Sequence, residues 1–182
     1  MEKVQGVPGS QGVPQKLIAR VALVIAAIGI VSAFFLPWGS ADAEWREAAA
    51  QAPDVMFYEP TGLTVSGAAD LSLLEYAQVY GSMGDTAWVM YAYIVYAGIA
   101  FGAVAVVLAA LARPVGAAVP GALAFAISRL LVWDFGDRGV LPNSTHDWGA
   151  APTIFVIAAV ALVVAAVWLF MIKRREKHAG EL

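Results

Sequence analysis

Four stretches of this chain, residues 17–37, 88–112, 115–133 and 152–172, are apolar and nearly free of charge. Each has roughly the 20 residues that an α-helix needs to cross about 30 Å of hydrocarbon. Within lipid only helices and closed barrels satisfy their own backbone groups. Barrel strands alternate in polarity over about ten residues, and none of these stretches does. The expectation is an all-α membrane fold, a bundle of four transmembrane helices. Composition agrees: 60% of residues are hydrophobic, 14% are charged and the mean hydropathy is +0.72, where a soluble domain carries roughly 25% charged residues. That balance excludes a soluble enzyme and a disordered tail. A net charge of −3 and a pI near 5.3 leave no basic footprint for nucleic acid. The absence of cysteine removes disulfides, thiolate metal sites, cysteine nucleophiles and palmitoylation.

Pro37 ends the first span, Arg113-Pro114 separates the second from the third, and Lys173-Arg174-Arg175 follows the fourth. Lys3, Lys16, Arg20, Arg113, Lys173, Arg174, Arg175 and Lys177 all fall on one side of such a bundle. Arg46 and Arg138 fall on the other, with Arg129 near the border. Because cytoplasmic flanks carry the excess of Lys and Arg, both termini are expected in the cytoplasm. Residues 1–16 and 173–182 are then cytoplasmic tails, and 38–87 and 134–151 face outward. Trp38, Trp88, Tyr91, Trp133 and Trp148 group at the outer boundary, Trp168 and Phe170 at the inner one, as interfacial aromatics do. Ala41-Asp42-Ala43 also permits a signal-peptide reading. The long apolar run and Pro37-Trp38, taken as an interfacial anchor, argue against it.

The segment 38–87 is too long for a turn and predicts structure of its own. Residues 41–51 are rich in Ala and Glu and predict a short helix. Residues 55–58 and 63–65 predict two strands joined by Glu59-Pro60-Thr61-Gly62. Residues 70–80 carry Leu71, Leu74 and Tyr76 at near-helical spacing, with Ser72 and Glu75 set as a capping box. The expected object is a small strand-and-helix outer cap. It is acidic: Asp42, Glu44, Glu47, Asp54, Glu59, Asp70, Glu75 and Asp85 face Arg46 alone. The loss of Lys and Arg from translocated loops explains this. A surface for a cation or a basic partner is the functional alternative; no EF-hand spacing is present.

In 134–151, Asp134, Asp137, His146 and Asp147 offer ligand types for zinc without metal spacing, and ordinary solvated charge explains them. Asp134-Phe135-Gly136 copies a kinase triplet without any other kinase part. Asn143-Ser144-Thr145 is a glycosylation sequon, relevant only in a secretory eukaryotic host. Arg129 is the one charge set inside an apolar run, one helical turn from Trp133. It reads either as a tether that snorkels or pairs with Asp134, Asp137 or a carboxylate of the first outer segment, or as a substrate or lipid-headgroup site. Gly98 and Gly102 form a GxxxG pair, and Ala118, Ala122 and Ala126 and Gly29 and Ala33 repeat the four-residue spacing that lets helices approach closely. No span has Asp, Glu, His or Lys at its centre, so no proton relay or haem ligand is expected there. Pro120 is a possible kink in the third span.

Cytoplasmic termini, a first outer segment of this size with a small sheet and a short second one resemble the claudin and peripheral-myelin-protein layout. In that family's outer-loop signature a tryptophan stands where Thr64 follows Gly62-Leu63 here, and its pair of cysteines is absent. The resemblance is therefore one of layout and implies no paracellular barrier. Pro37-Trp38, followed by a strand-like segment reaching Thr64-Val65-Ser66-Gly67, is similar to uncharacterised bacterial four-helix (tetraspan) membrane proteins.

The expected function is that of a non-enzymatic scaffold or accessory subunit in a bacterial inner membrane. Its partners would be the lipid bilayer and a membrane protein or further copies of itself, with no nucleic acid, cofactor or metal. The alternatives are a small transporter or channel subunit, and a lipid- or ligand-binding protein that uses Arg129 and an outer cleft. Candidate interaction or ligand residues are Arg129, Asp134, Asp137, His146, Tyr58 and Glu75.

Overall fold

The computed structural model describes residues 12–180; Lys3, with the rest of residues 1–11, and residues 181–182 lie outside the described residues. In chain order the elements are α1 (Gly12–Ser32), β1 (Pro37–Ala41), α2 (Ala43–Gln51), β2 (Met56–Tyr58), β3 (Leu63–Thr64), β4 (Asp70–Ser72), α3 (Leu73–Ser82), α4 (Thr86–Ala110), α5 (Pro114–Asp137), β5 (His146–Trp148) and α6 (Ala151–Ala179). The fold is mostly helical with a small sheet. Helices α1, α4, α5 and α6 are long and apolar enough to cross a membrane, by length and composition. α1 packs against α6, α4 and α5, while α5 lies between α4 and α6.

Alanine dominates the core these helices share, with Leu23, Ile30, Phe34, Phe155, Leu162 and Leu169 as the large buried side chains. Small residues matter because helix association gains mainly from close van der Waals contact where the surroundings are as apolar as the side chains. Gly98 and Gly102 lie on the buried face of α4. A Cβ would stand 2.8 Å from Phe34 Cζ at the first and 3.0 Å from Val31 Cγ2 at the second, so Gly98 admits Phe34, just past α1, and Gly102 admits α1 itself. On α5 the packing face is Ala117, Gly121, Ala124, Ser128, Leu131 and Phe135. The expected stripe lies beside it: Ala118 is half-buried, and Ala122 and Ala126 are exposed. A strict four-residue spacing drifts around a helix of 3.6 residues per turn, and only a mixed three-and-four spacing holds one face.

Several boundaries differ from the sequence expectation for physical reasons. α1 stops at Ser32 and the chain turns through residues 33–35 into β1 at Pro37; Leu36, before the proline, is pushed toward the extended region. Trp38 is no interfacial anchor. It is wholly buried, its indole Nε1 donates to the Ala33 carbonyl at 2.7 Å, and its ring meets Phe155 edge-on at 6.4 Å. α5 continues through Asp137, which places Asp134 on its last turns rather than in a loop. α6 runs on to Ala179 through the basic residues, with Lys177 and His178 in its last turn, where cations favour the helix dipole.

β1 is the centre of an antiparallel sheet in the order β4-β1-β5, with Ser40 opposite Asp70 on one side and Asp147 on the other. The two connecting segments that the sequence presented separately are thus one cap. β2 and β3 form a separate antiparallel hairpin. The capping box forms: Ser72 Oγ accepts from Glu75 N at 3.2 Å, and the Glu75 carboxylate accepts from Ser72 N at 2.7 Å. α3 then buries Leu73, Ala77 and Tyr80 against the long helices.

Candidate functional site

At the β5 end of the cap, Gly149 N donates to the Trp38 carbonyl at 2.7 Å. A Cβ at Gly149 would run into the Pro37 carbonyl oxygen, so only glycine lets β5 turn into α6 this close to β1. At the other edge, Arg46 from α2 forks onto Asp70 at 2.6 and 2.9 Å and donates to Ser40 Oγ at 2.8 Å. The hydrogen bond from Arg46 holds the Asp70 carboxyl below its ordinary range against the opposing effect of burial, and Asp70 raises Arg46 in return.

His146 sits within this fastening. Nε2 lies 2.9 Å from the Ala68 carbonyl and Nδ1 lies 2.9 Å from Thr145 Oγ1. Both nitrogens are thus engaged, and among the described residues no group of three or more His, Asp or Glu is arranged to hold a metal ion. Glu75 serves the capping box. The Tyr58 hydroxyl accepts from Ser82 Oγ at 3.2 Å, which pins the β2–β3 hairpin to α3.

The densest polar centre is built around Arg138, which the sequence reading left aside. Its guanidinium lies 4.9 Å from the Tyr91 ring centre, 5.2 Å from Trp88, 5.7 Å from Tyr80 and 5.9 Å from Phe135. Asp134, one turn earlier on the same helix face, accepts from Arg138 Nε at 2.8 Å and also from the Tyr91 hydroxyl. Tyr80 stacks flat on Trp88 at 5.1 Å. The cluster thus joins α3, α4 and α5. Burial alone would lower the Arg138 pKa, but the bonds to Asp134 and Tyr80 outweigh it and leave it raised. Burial raises the Tyr76 and Tyr80 hydroxyls. The legible signal was Asp134 and Arg138 at i, i+4 beside a run of boundary aromatics.

Arg129 does not reach Asp134 or Asp137. Because α5 stays helical, Asp134 points to another face and Asp137 lies about 12 Å further along the axis. The Arg129 guanidinium lies over Phe125 at 5.4 Å, and its donors meet Ser128 Oγ at 3.4 Å and the Pro152 carbonyl at 3.5 Å. Among the described residues no carboxylate pairs with it. Asp137 is exposed at the end of α5.

The β2–β3 hairpin presents Val55, Met56 and Phe57, each more than half exposed, between Asp54 and Glu59. Beside it a crevice of about 330 Å³ is lined by Trp45, Phe57, Leu71, Tyr76 and His146. The Trp45 ring meets Phe57 edge-on at 5.6 Å and His146 at 5.2 Å. Its indole Nε1 is buried without a hydrogen-bond partner among the described residues. An exposed apolar tip beside an aromatic wall is a surface of the kind that interaction sites use.

Fold and site together define a protein of four potential membrane-spanning helices closed at one end by a sheet-and-helix cap. No protein family, curated protein or solved structure matches this chain.

Proposed function

We propose that the chain is a non-enzymatic scaffold or accessory subunit of a bacterial inner membrane, with four transmembrane helices, cytoplasmic termini and an outward cap that engages a protein partner. The exposed Val55-Met56-Phe57 tip beside the Trp45 crevice carries this reading, because exposed apolar patches rimmed by charge mark interaction sites. The orientation rests on Lys16, Arg20, Arg113, Lys173, Arg174 and Arg175 lying at the end opposite the acidic cap. The four-helix layout with a sheet-bearing cap supports the tetraspan likeness. A scaffold is favoured over a transporter by the character of the interior. Among the described residues the buried polar side chains are Ser72, in the cap, and Ser128, whose hydroxyl donates to the Phe125 carbonyl at 2.8 Å.

Photo-crosslinking residues placed at Met56 and Phe57 in intact cells test this reading. Each should give a discrete adduct that a control at Val163 on α6 does not give, and with the crosslinker at Phe57, serine at positions 55 and 56 should abolish it. Adducts that are the same from both faces would overturn the scaffold reading. So would a transport activity in proteoliposomes that is unaffected by the serine variant.

Arg129 supports a second reading. A guanidinium beside Phe125 that pairs with no carboxylate among the described residues suits an outer lipid headgroup or small anion.

A further inference from the structure

The face between α5 and α6, at the end away from the cap, carries a groove whose lining changes character along its length. Its upper part is apolar: Val115, Ala118 and Ala122 from α5 face Val163, Val167 and Phe170 from α6 around a cavity of about 360 Å³. A second apolar cavity of about 290 Å³ continues it through Ala122 and Val163 to Phe125. At its lower end Val115 and Phe170 also line a third cavity of about 600 Å³, whose other walls include Arg113, Lys173, Arg174 and Lys177. α5 begins there with Pro114 and has no side-chain cap. The positive end of its dipole adds to the same pocket.

We propose that this groove binds one anionic phospholipid of the cytoplasmic leaflet, an acyl chain along α5 and α6 and the phosphate among Arg113, Arg174 and Lys177. The small side chains of half-buried Ala118 and exposed Ala122, off the packing face of α5, leave the groove open. From Val115 to Phe125 the groove runs about 15 Å, half of a hydrocarbon core of about 30 Å. That is the depth of one leaflet. A partner helix would need the full depth and would bring no anion to the basic end. A free phosphate would use the basic end and leave the apolar length without a role. Lys173 donates to the Ala112 carbonyl at 2.5 Å and closes the floor of the pocket. Among the described residues, the carboxylate beside this cluster is Glu176, which Lys16 holds at 2.7 Å. Clusters of Lys and Arg at the cytoplasmic boundary recognise anionic headgroups in this way.

The proposal rests on the membrane-spanning reading, and its test separates the two. The full chain, purified in mild detergent, is delipidated and titrated with dioleoyl-phosphatidylglycerol or dioleoyl-phosphatidylcholine, and bound lipid is counted by native mass spectrometry. One phosphatidylglycerol should be retained in preference to phosphatidylcholine. The R113Q/R174Q/K177Q variant should weaken it on the order of 10- to 100-fold. Ala122→Phe, which fills the groove at an exposed position and leaves every charge, should weaken it as well. Lys173 is left in place so that the end of α5 keeps its tie. Equal retention of the two lipids, an unchanged preference in the triple variant, or full competition by millimolar inorganic phosphate would overturn the lipid site. Release of the chain from membranes by alkaline carbonate would instead overturn the spanning reading. A chain that stays in the membrane without preferring phosphatidylglycerol loses only the lipid site.

Discussion

Replacing Arg138 measures how the cap is fastened to the helices. Its side chain is about one quarter exposed, at 27%, and Asp134 is similar at 30%, so the ion pair is only partly screened. An exposed pair contributes about 0–1 kcal/mol, and a charge-assisted one in which Nε and Nη2 both donate to Asp134 Oδ2 reaches the top of that range. The four rings at 4.9–5.9 Å share one cation, so their joint contribution is about 2 kcal/mol rather than four separate increments. Arg138→Ala also leaves Asp134 with the Tyr91 hydroxyl alone. The expected loss is about 3 kcal/mol. Arg138→Lys keeps charge over the rings but loses the fork and the flat stacking face, at a cost of about 1–2 kcal/mol. Asp134→Asn keeps the cation–ring contacts and should cost about 1 kcal/mol. Unfolding in mixed detergent and SDS micelles, followed by near-ultraviolet circular dichroism of Trp88, Tyr80 and Tyr91, ranks the three. The reasoning fails if Asp134→Asn costs as much as Arg138→Ala, because the carboxylate and not the rings would then dominate. It fails equally if Arg138→Lys matches wild type.

Gly149→Ala should cost about 3 kcal/mol by forcing β5 away from the Pro37 carbonyl, read as faster tryptic cleavage after Arg46 with the helices intact. The folded pKa of Asp70 is depressed, so its contribution is fully present above the unfolded value of about 4 and is lost as pH falls through the lower folded value. Acid below about pH 4 should therefore release Arg46, read by NMR as a shift of its Nε–H resonance. The effect should be small because both side chains are over 40% exposed, and Asp70→Asn should flatten that pH dependence. Arg129→Ala should cost less than about 1 kcal/mol, since no buried carboxylate is stranded; a loss above about 2 kcal/mol in the same SDS titration would reveal a partner the structure does not contain.

The four long helices were legible because each is a long apolar run without the alternation of a strand. The local elements of the cap were legible too, wherever a short-range signal sufficed. Ser72 and Glu75 cap α3 from three residues apart, and Glu59-Pro60-Thr61-Gly62 turns the β2–β3 hairpin. Gly98 and Gly102 announced close approach but not to which helix, since that depended on where Phe34 and Val31 would lie. Tertiary structure alone decided the rest. Only pairing across the whole chain sets Pro37–Ala41 between Asp70–Ser72 and His146–Trp148, which turns Trp38 from an anchor into core. Only the continued helical phase of α5 takes Asp134 from Arg129 and gives it to Arg138, and only the docking of α3 and α4 surrounds that cation with rings. Periodicity and caps are properties of neighbours in sequence, readable over a few residues. The partner of a charge or a strand is a property of distance in space, which the chain acquires when its helices pack.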